Sequence, residues 1–188
     1  MSHEIERKFL VNVDLNYLLQ ATNTNSDLYD GLHGEYWIHH TITQHYLKNT
    51  GDWAIRVRCI EDVTDRGNGW ETTYEYVQTM KYRIDDRKSV EIEEKIDEDS
   101  FNFLASDRSL TTPALIKRRH RITYGSERDL CWEVDEFLNP EYAGLVLAEI
   151  ELKKPDQFFR IPFWMGEEVT HLKKYRNARM ARKLEKNG

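Results

Sequence analysis

Several features that mark large functional classes are scarce or missing in this chain of 188 residues. Two cysteines and four prolines are too few for a disulfide scaffold or a proline-rich linker. No apolar run approaches the roughly 20 residues that cross a bilayer, and no charged-then-apolar signal segment opens the chain. These absences predict one domain over residues 1–188, in the cytoplasm and without a membrane partner.

Positive charge is also in deficit, because 27 Lys and Arg face 33 Asp and Glu. A general nucleic-acid-binding surface needs the opposite balance, so no stable nucleic-acid partner is expected. The seven histidines form no recognisable ligand set, and no glycine-rich phosphate loop occurs. Five Trp, ten Tyr and seven Phe still supply large side chains for a folded core. Oligomeric state stays open, a homodimer included.

The first informative pattern is the run Glu-Ile-Glu-Arg-Lys-Phe at residues 4–9. In a strand, alternation places Glu4, Glu6 and Lys8 on one face. Two carboxylates at this spacing can share a hard divalent cation, and the lysine can hold an anion bound to that cation. A wet polar face above a buried apolar face gives the same pattern, so the motif alone leaves both interpretations open.

The same alternation recurs in other short runs of strand-forming residues. If these runs are strands of one sheet, the alternation places eight carboxylates and seven basic residues on the same face. The carboxylates are Glu4, Glu6, Glu91, Glu93, Glu133, Asp135, Glu149 and Glu151, and the bases are Lys8, Arg56, Arg58, Lys81, Lys117, Arg119 and Arg121. Like charges on neighbouring strands repel. A sheet closed on itself would form a charged tunnel in which cations and a polyanion offset the repulsion, whereas the alternative is an open sheet with salt bridges on its wet face.

Periodicity predicts eight strands and three helical regions. The strands lie near residues 3–11, 36–48, 53–60, 71–83, 88–96, 114–124, 130–137 and 145–153, and the helices lie at 14–20, at 97–106 and from about 167 onward. The helices are expected to cover the outer, apolar face of the sheet. Residues 21–35 have turn composition, and residues 61–70 are typical of a long hairpin connection. Each segment is either a loop at the tunnel mouth or a neutral insertion.

Taken in order, these runs resemble the CYTH-domain proteins of the triphosphate tunnel metalloenzyme family over most of the chain. Glu4, Glu6 and Lys8 carry the family signature Glu-x-Glu-x-Lys. Further matching motifs are Gln44-His45-Tyr46-Leu47, Ile55-Arg56-Val57-Arg58, the strand ending at Lys81, Val90-Glu91-Ile92-Glu93, Lys117-Arg118-Arg119, Trp132-Glu133-Val134-Asp135 and Leu147-Ala148-Glu149-Ile150-Glu151-Leu152. The ending, residues 166–177, is most similar to the bacterial inorganic triphosphatase branch.

The resemblance implies an α+β fold: an eight-stranded antiparallel β-barrel, or tunnel, with helices packed on the outside. It implies that the tunnel binds triphosphate compounds together with Mg²⁺ or Mn²⁺. The implied metal ligands are Glu4, Glu6, Glu149 and Glu151, and the implied phosphate ligands are Lys8, Arg56, Arg58, Lys81, Lys117 and Arg119. Lys173 either closes over the phosphates or is an exposed helix charge.

By the same resemblance, Tyr46 and Lys117 match a tyrosine and a lysine implicated at the scissile phosphate. A lysine crowded by Arg119 and other cations has its charged form disfavoured, so it can help to deprotonate water. Simple packing for Tyr46 and plain phosphate binding for Lys117 remain the alternatives. Which of the two moves the proton is left open.

The expected function is metal-dependent hydrolysis of inorganic triphosphate to pyrophosphate and phosphate. Other enzymes of the family cyclise ATP or hydrolyse thiamine triphosphate or nucleoside triphosphates, and these are the alternative activities. A different class of hypothesis is a non-catalytic receptor for polyphosphate or a nucleotide. The long segment before Tyr46 and the long connection at 61–70 leave the tunnel entrance and the substrate range open.

Overall fold

A computed structural model describes residues 2–15, 18, 39–123 and 130–185 of the chain. This part of the chain contains nine strands. They are β1 (Ser2–Val11), β2 (His39–Tyr46), β3 (Trp53–Asp65), β4 (Trp70–Arg83), β5 (Lys88–Lys95), β6 (Leu115–Thr123), β7 (Cys131–Phe137), β8 (Val146–Leu152) and β9 (Met165–Glu168). Its helices are α1 (Glu98–Ser106) and α2 (Asn177–Leu184), with short 3₁₀ turns at Pro140–Tyr142 and Lys173–Tyr175.

Eight of the strands close into an antiparallel barrel, which confirms the predicted fold class. Their spatial order is β5-β4-β3-β2-β6-β7-β8-β1, and pairing of Ser2–Ile5 in β1 with residues 88–91 of β5 joins the two ends. The ninth strand, β9, lies outside this circle, because it pairs with Phe9 and Val11 beyond the part of β1 that β5 covers.

The predicted strand positions agree with the observed ones except at two places. Residues 61–70 do not form a long connection, because β3 and β4 continue their ladder to the pair Asp65 and Trp70 and leave a turn at 66–69. The region after 167 is not helical at its start, because β9 ends at Glu168 and α2 begins only at Asn177. β9 itself was not predicted; four residues with a glycine carry little periodic signal.

Several predicted segments fall partly or wholly outside the described residues, including residues 36–38 of the second predicted strand and residue 124 of the sixth. Residues 21–35 lie outside them, as do residues 16–17 and 19–20 of the predicted first helix. Within that helix the backbone N–H of Leu18 donates to the carbonyl of Asp14 at 3.0 Å, which is a helical hydrogen bond.

The outward side of β1 and β6–β8 carries the main apolar core. Phe9, Trp132 and Ile150 alternate with inward charged residues on these strands and are almost fully buried. Trp164 covers them from outside, with its ring centroid 5.9 Å from that of Trp132 in an edge-to-face contact. These contacts hold four strands of the barrel rigidly in place, so the inward charges are held by a packed wall.

The helices occupy different positions on the barrel. Asp97 caps α1 by accepting a 2.7 Å hydrogen bond from the N–H of Ser100, and Phe101 packs on the outer face against Tyr76. α2 instead covers one end of the barrel, where its apolar residues Met180 and Leu184 join inward side chains of four strands. Across the described residues, we find no helix with the length and apolar character required to cross a membrane.

Candidate active site

The inward face of the barrel encloses a cavity of about 770 Å³. Of the fifteen charged residues predicted to face inward, thirteen line this cavity. The other two, Lys117 and Asp135, are 2% and 0% exposed and lie beneath its wall. The closed sheet therefore converts the sequence alternation into a continuous charged surface, and the open-sheet alternative is wrong.

Carboxylates concentrate where β1 lies beside β8. Glu6 lies directly opposite Glu151 in the strand register, and Lys8 lies opposite Glu149. Lysines bridge the group, with Lys8 Nζ 2.6 Å from Glu149 Oε1 and Lys81 Nζ 2.6 Å from Glu4 Oε2. The cluster thus has two lysines in contact with carboxylates that would otherwise repel each other.

In two of these carboxylates the charged form is disfavoured, even though lysines lie nearby. Burial, together with the neighbouring Glu91, raises the pKa of Glu4 from 4.5 to about 7 despite its contact with Lys81. Burial and Glu133 likewise raise the pKa of Glu151. When a cation binds beside a carboxylate whose pKa is raised by burial and by other carboxylates, it stabilises the ionised form of that carboxylate.

Arginines form the opposite wall of the cavity, on β3 and β6. Arg56 Nη2 lies 3.4 Å from Glu91 Oε1, and Arg58 contacts both Glu93 and the hydroxyl of Thr79. Burial and the adjacent Arg56 lower the pKa of Arg58 to about 10, which shows how densely cations are packed here. Such crowding is relieved by a bound anion.

Lys117 has a different environment from the one expected of a phosphate ligand. Its Nζ donates to Asp135 Oδ2 at 2.5 Å, and Arg119 holds both oxygens of the same carboxylate at 2.7 Å. Burial, followed by the charge of Arg119, lowers the pKa of Lys117 from 10.5 to about 8. The predicted direction is confirmed, although burial is the larger cause rather than cationic neighbours.

Tyr46 lies at the boundary between the charged cavity and the apolar end of the barrel. Its ring belongs to the cluster formed with Met180 and Leu184, while the residue also lines the cavity. Its hydroxyl lies within hydrogen-bonding reach of the Arg56 guanidinium, which contributes to a raised pKa of Arg56. The ring is thereby fixed by packing and the polar end is directed toward the cations.

Comparison with known proteins places this geometry in a family, because residues 2–185 match the CYTH domain profile. The chain belongs to the CYTH domain family. An inorganic triphosphatase of Acetivibrio thermocellus is 40% identical over 75 residues, which are 40% of this chain and 46% of that protein. The matched part therefore spans about half the length of this curated relative.

Solved structures of similar proteins agree with the CYTH assignment. One is an inorganic triphosphatase that is 27% identical, with a TM-score of 0.54 and coverage of 96% of this chain and 95% of that one. A protein from Pyrococcus horikoshii is 20% identical, with a TM-score of 0.53 over 81% of this chain and 80% of that one, and shares the fold.

The four predicted metal ligands, Glu4, Glu6, Glu149 and Glu151, have the oxygen donors that Mg²⁺ and Mn²⁺ prefer. Among the described residues, no three His, Cys, Asp or Glu side chains are arranged to hold a metal ion by themselves. That finding is compatible with Mg²⁺, which is usually bound by one or two carboxylates together with waters and substrate phosphates. A cation would favour the charged forms of Glu4 and Glu151, which burial and neighbouring carboxylates disfavour, so the residues present suit the expected group.

Two parts of the site depart from the sequence interpretation. Lys173 is exposed, in the 3₁₀ turn before α2, and is absent from the cavity wall. Arg176, Arg179 and Arg182 reach the wall in its place, together with Arg83 of β4. Sequence reasoning missed them, although the spacing of three along α2, opposite apolar Met180, and the shared parity of Arg83 with Lys81 were available signals.

Proposed function

We propose that the protein hydrolyses inorganic triphosphate to pyrophosphate and phosphate inside the barrel, using Mg²⁺ or Mn²⁺. The observation that carries this proposal is one cavity lined both by buried arginines and lysines and by a cluster of carboxylates on β1 and β8, with ion pairs between the two groups. Cations on one wall suit a polyanion, and carboxylates on the other suit a metal that neutralises the remaining phosphate charge. The Acetivibrio relative and the protein of the 27% identical structure are both inorganic triphosphatases, which supports the same assignment.

The phosphate ligands in this proposal are Arg56, Arg58, Arg119, Lys81 and Lys8. The three arginines offer planar guanidinium groups that can bind phosphate oxygens in pairs. Lys8 and Lys81 already contact carboxylates of the metal side, so both lysines lie between the two walls. An anion bound along the arginines would therefore place its phosphates next to Glu4 and Glu149.

The metal would be held by Glu4, Glu6, Glu149 and Glu151. When bound, it would supply charge neutralisation of the phosphates and a lowered pKa for a bound water. The carboxylates can release their lysine partners to phosphate oxygens as they take up the cation. Net charge in the lumen is then balanced by substrate and metal together.

For the chemical step, we assign Tyr46 and Lys117 to the scissile phosphate. Water attacks the terminal phosphorus, the bond to the bridging oxygen breaks, and pyrophosphate leaves. Tyr46 places a hydroxyl beside Arg56, where it can hold an oxygen of the reacting phosphate. Lys117, whose pKa is lowered to about 8, lies beneath the cavity wall in contact with Asp135, so it can take a proton from water only when its side chain turns into the lumen as substrate binds.

The experiment is release of phosphate by the purified chain from tripolyphosphate, ATP and thiamine triphosphate, with and without Mg²⁺ or Mn²⁺. The proposal expects the fastest metal-dependent release from tripolyphosphate. Faster release from ATP or thiamine triphosphate would change the assigned substrate but not the assigned site. Tight binding without turnover on any of the three would make the protein a receptor.

A further inference from the structure

A glutamine is buried in the barrel wall with no partner at either end of its carboxamide. Gln44 of β2 is 0% exposed and does not line the cavity. Among the residues that the structure describes, neither its Oε1 nor its Nε2 has a hydrogen-bond partner. A buried amide left unpaired destabilises the folded state, because it has lost its hydrogen bonds to water. This position therefore suits a residue that gains its partner in another state of the protein.

The side chain of Gln44 lies near the two residues assigned to the chemical step. Gln44 and Tyr46 are two residues apart on β2, so both side chains point into the barrel. On the neighbouring strand β6, Gln44 pairs with Leu115, and Lys117 pairs with Ile42. Gln44 is therefore a diagonal neighbour of Lys117, at a spacing that long side chains can bridge.

The present partner of Lys117, Asp135, lies in the opposite direction. Asp135 is on β7, the other neighbour of β6, where it pairs directly with Arg119. Along β6, Asp135 is thus displaced from Lys117 toward one end of the barrel, whereas Gln44 is displaced toward the other. A movement of Lys117 Nζ from Asp135 to Gln44 would carry it toward Tyr46, the next inward residue of β2.

Asp135 can lose Lys117 without becoming an unpaired buried charge. Arg119 Nε lies 2.7 Å from Oδ1 of this carboxylate, and Arg119 Nη2 lies 2.7 Å from Oδ2. This bidentate contact keeps the carboxylate paired when the lysine departs. The oxygen of the Gln44 carboxamide then offers Nζ an acceptor, whether the amine is charged or neutral, because both forms carry N–H donors.

We propose that Gln44 is a positioning residue, whose carboxamide oxygen accepts a hydrogen bond from Lys117 Nζ and holds the lysine beside Tyr46 during turnover. This inference rests on the proposed function, which assigns that lysine and that tyrosine to the scissile phosphate. Arg58 is the competing partner, because it pairs directly with Gln44 across β2 and β3 and its Nε is likewise unpaired within the described part of the chain. The two partners predict different kinetics, since Lys117 acts in the chemical step and Arg58 in phosphate binding.

The test is Gln44→Met, which removes both polar atoms and keeps an unbranched side chain of similar length. Loss of one hydrogen bond to Lys117 should lower kcat on tripolyphosphate about tenfold and leave KM within about twofold. The melting temperature should stay at or above the wild-type value, because the substitution removes an unpaired buried amide. Ile42→Met is the matched control, since Ile42 is 3% exposed and pairs directly with Lys117. This control should leave kcat within about twofold.

A double-mutant cycle with Lys117→Met tests whether Gln44 acts through the lysine. In the Lys117→Met background, Gln44→Met should cause no further fall in kcat. A further fall of about tenfold would mean that Gln44 acts elsewhere and would overturn the inference. A raised KM with a normal kcat would assign Gln44 to Arg58 instead. A lower melting temperature with a normal kcat would make the role of Gln44 structural.

A measurement without turnover separates this inference from the proposed activity, and it uses no Gln44→Met protein. The side-chain amide signal of Gln44, identified by its loss in the isosteric Gln44→Glu, is followed by NMR as tripolyphosphate is added with Ca²⁺. The signal should shift in the wild type and stay near its ligand-free position in Lys117→Met. That result in a protein that releases no phosphate would reject the triphosphatase and retain the contact. No shift, or an equal shift in both proteins, would reject the contact even if hydrolysis occurs.

Discussion

The inner face of the barrel is charged along its middle and, on four of its strands, apolar at one end, where the change takes place within two residues. Leu10 follows Lys8 on β1, Leu115 precedes Lys117 on β6, Phe137 follows Asp135 on β7 and Leu147 precedes Glu149 on β8. The apolar positions are buried against α2, whereas most of the charged ones line the cavity. Inward-facing positions therefore pack against α2 where this helix covers them. Where the helix does not cover them, they line the cavity and are available to bind a ligand.

The two regions should respond differently to substitution. Apolar contacts at the end contribute to the free energy of folding. Charges in the middle are only partly balanced by ion pairs in the free protein, as the raised pKa of Glu4 and the lowered pKa of Arg58 indicate, and they are expected to gain further partners when substrate and metal bind. Changes in the middle should thus affect turnover, and changes at the end should affect stability.

The largest expected effect is on turnover, from Glu4→Gln with Glu6→Gln. Removing two carboxylates from the proposed metal site while keeping side-chain size should lower kcat by about a thousandfold, because metal charge stabilisation contributes several kcal/mol. Steady-state phosphate release at saturating Mg²⁺ measures it. The pair Glu71→Gln with Glu75→Gln is the control, since it removes equal charge from the part of β4 that extends beyond the cavity, where Glu71 is exposed and Glu75 is half-buried.

This prediction depends on the double variant remaining folded. A cooperative melt close to that of the wild type would establish that. Near-normal hydrolysis by the folded protein would reject the carboxylates as metal ligands.

The next effect is on stability, from Met180→Ala in the apolar end. Met180 is 1% exposed among Tyr46, Phe137 and Leu147, so truncation should cost about 3 kcal/mol of unfolding free energy through lost burial and a residual cavity. Denaturant unfolding measures it, with half-exposed Val63→Ala on β3 as the control. If Met180→Ala left stability unchanged, α2 would not contribute to the packing of this end.

Tyr46 lies at the boundary between the two regions, and Tyr46→Phe tests both because it removes only the hydroxyl group. The ring still packs against Met180, so stability should be nearly unchanged, whereas kcat on tripolyphosphate should fall about a hundredfold with the hydroxyl removed. Stopped-time phosphate assays and calorimetry with Ca²⁺ separate turnover from binding. A normal kcat would mean that Tyr46 contributes to packing and has no role in the chemical step.

Lys117→Arg gives the subtlest effect, a change in the pH profile. Since the pKa of Lys117 is lowered to about 8 in the folded protein, its neutral amine becomes populated as pH rises through that value. The wild-type kcat should therefore increase between pH 7 and about 9, and the arginine variant, which stays charged, should lack this rise. An identical pH profile in both proteins would remove Lys117 from proton transfer.

The same pKa shift has a consequence for folding. Between about pH 8 and the usual lysine pKa of 10.5, the unfolded chain binds more protons than the folded one at this position. The contribution of Lys117 to the unfolding free energy should thus increase as pH rises across that window. Lys117→Met should abolish that part of the pH dependence.

Much of the barrel could be predicted from the sequence, because charge alternation and strand length are local properties. The neighbours Glu91 and Ile92, like Glu149 and Ile150, already indicate which face of a strand is charged and which is apolar. The extended β3–β4 hairpin was missed, because Asp65 to Gly69 have turn composition although the ladder continues up to them. Tertiary pairing there overrides local preference.

The site was only partly predictable for a similar reason. Parity identifies inward residues but not depth, so it could not distinguish Lys117, beneath the wall, from Arg119, which lines the cavity. Nor could it show that α2 turns its arginines into the lumen, since that depends on which face packs against Phe137. The metal ligands, the phosphate ligands and the single-domain organisation over 1–188 remain predictions.

The most direct test of the account is a crystal structure with tripolyphosphate and Mn²⁺, using anomalous scattering to locate the metal. Triphosphate is expected inside the barrel along Arg56, Arg58 and Arg119, with the Mn²⁺ peak between its oxygens and the carboxylates of β1 and β8. Triphosphate bound outside the lumen, or a Mn²⁺ peak away from Glu4, Glu6, Glu149 and Glu151, would contradict it.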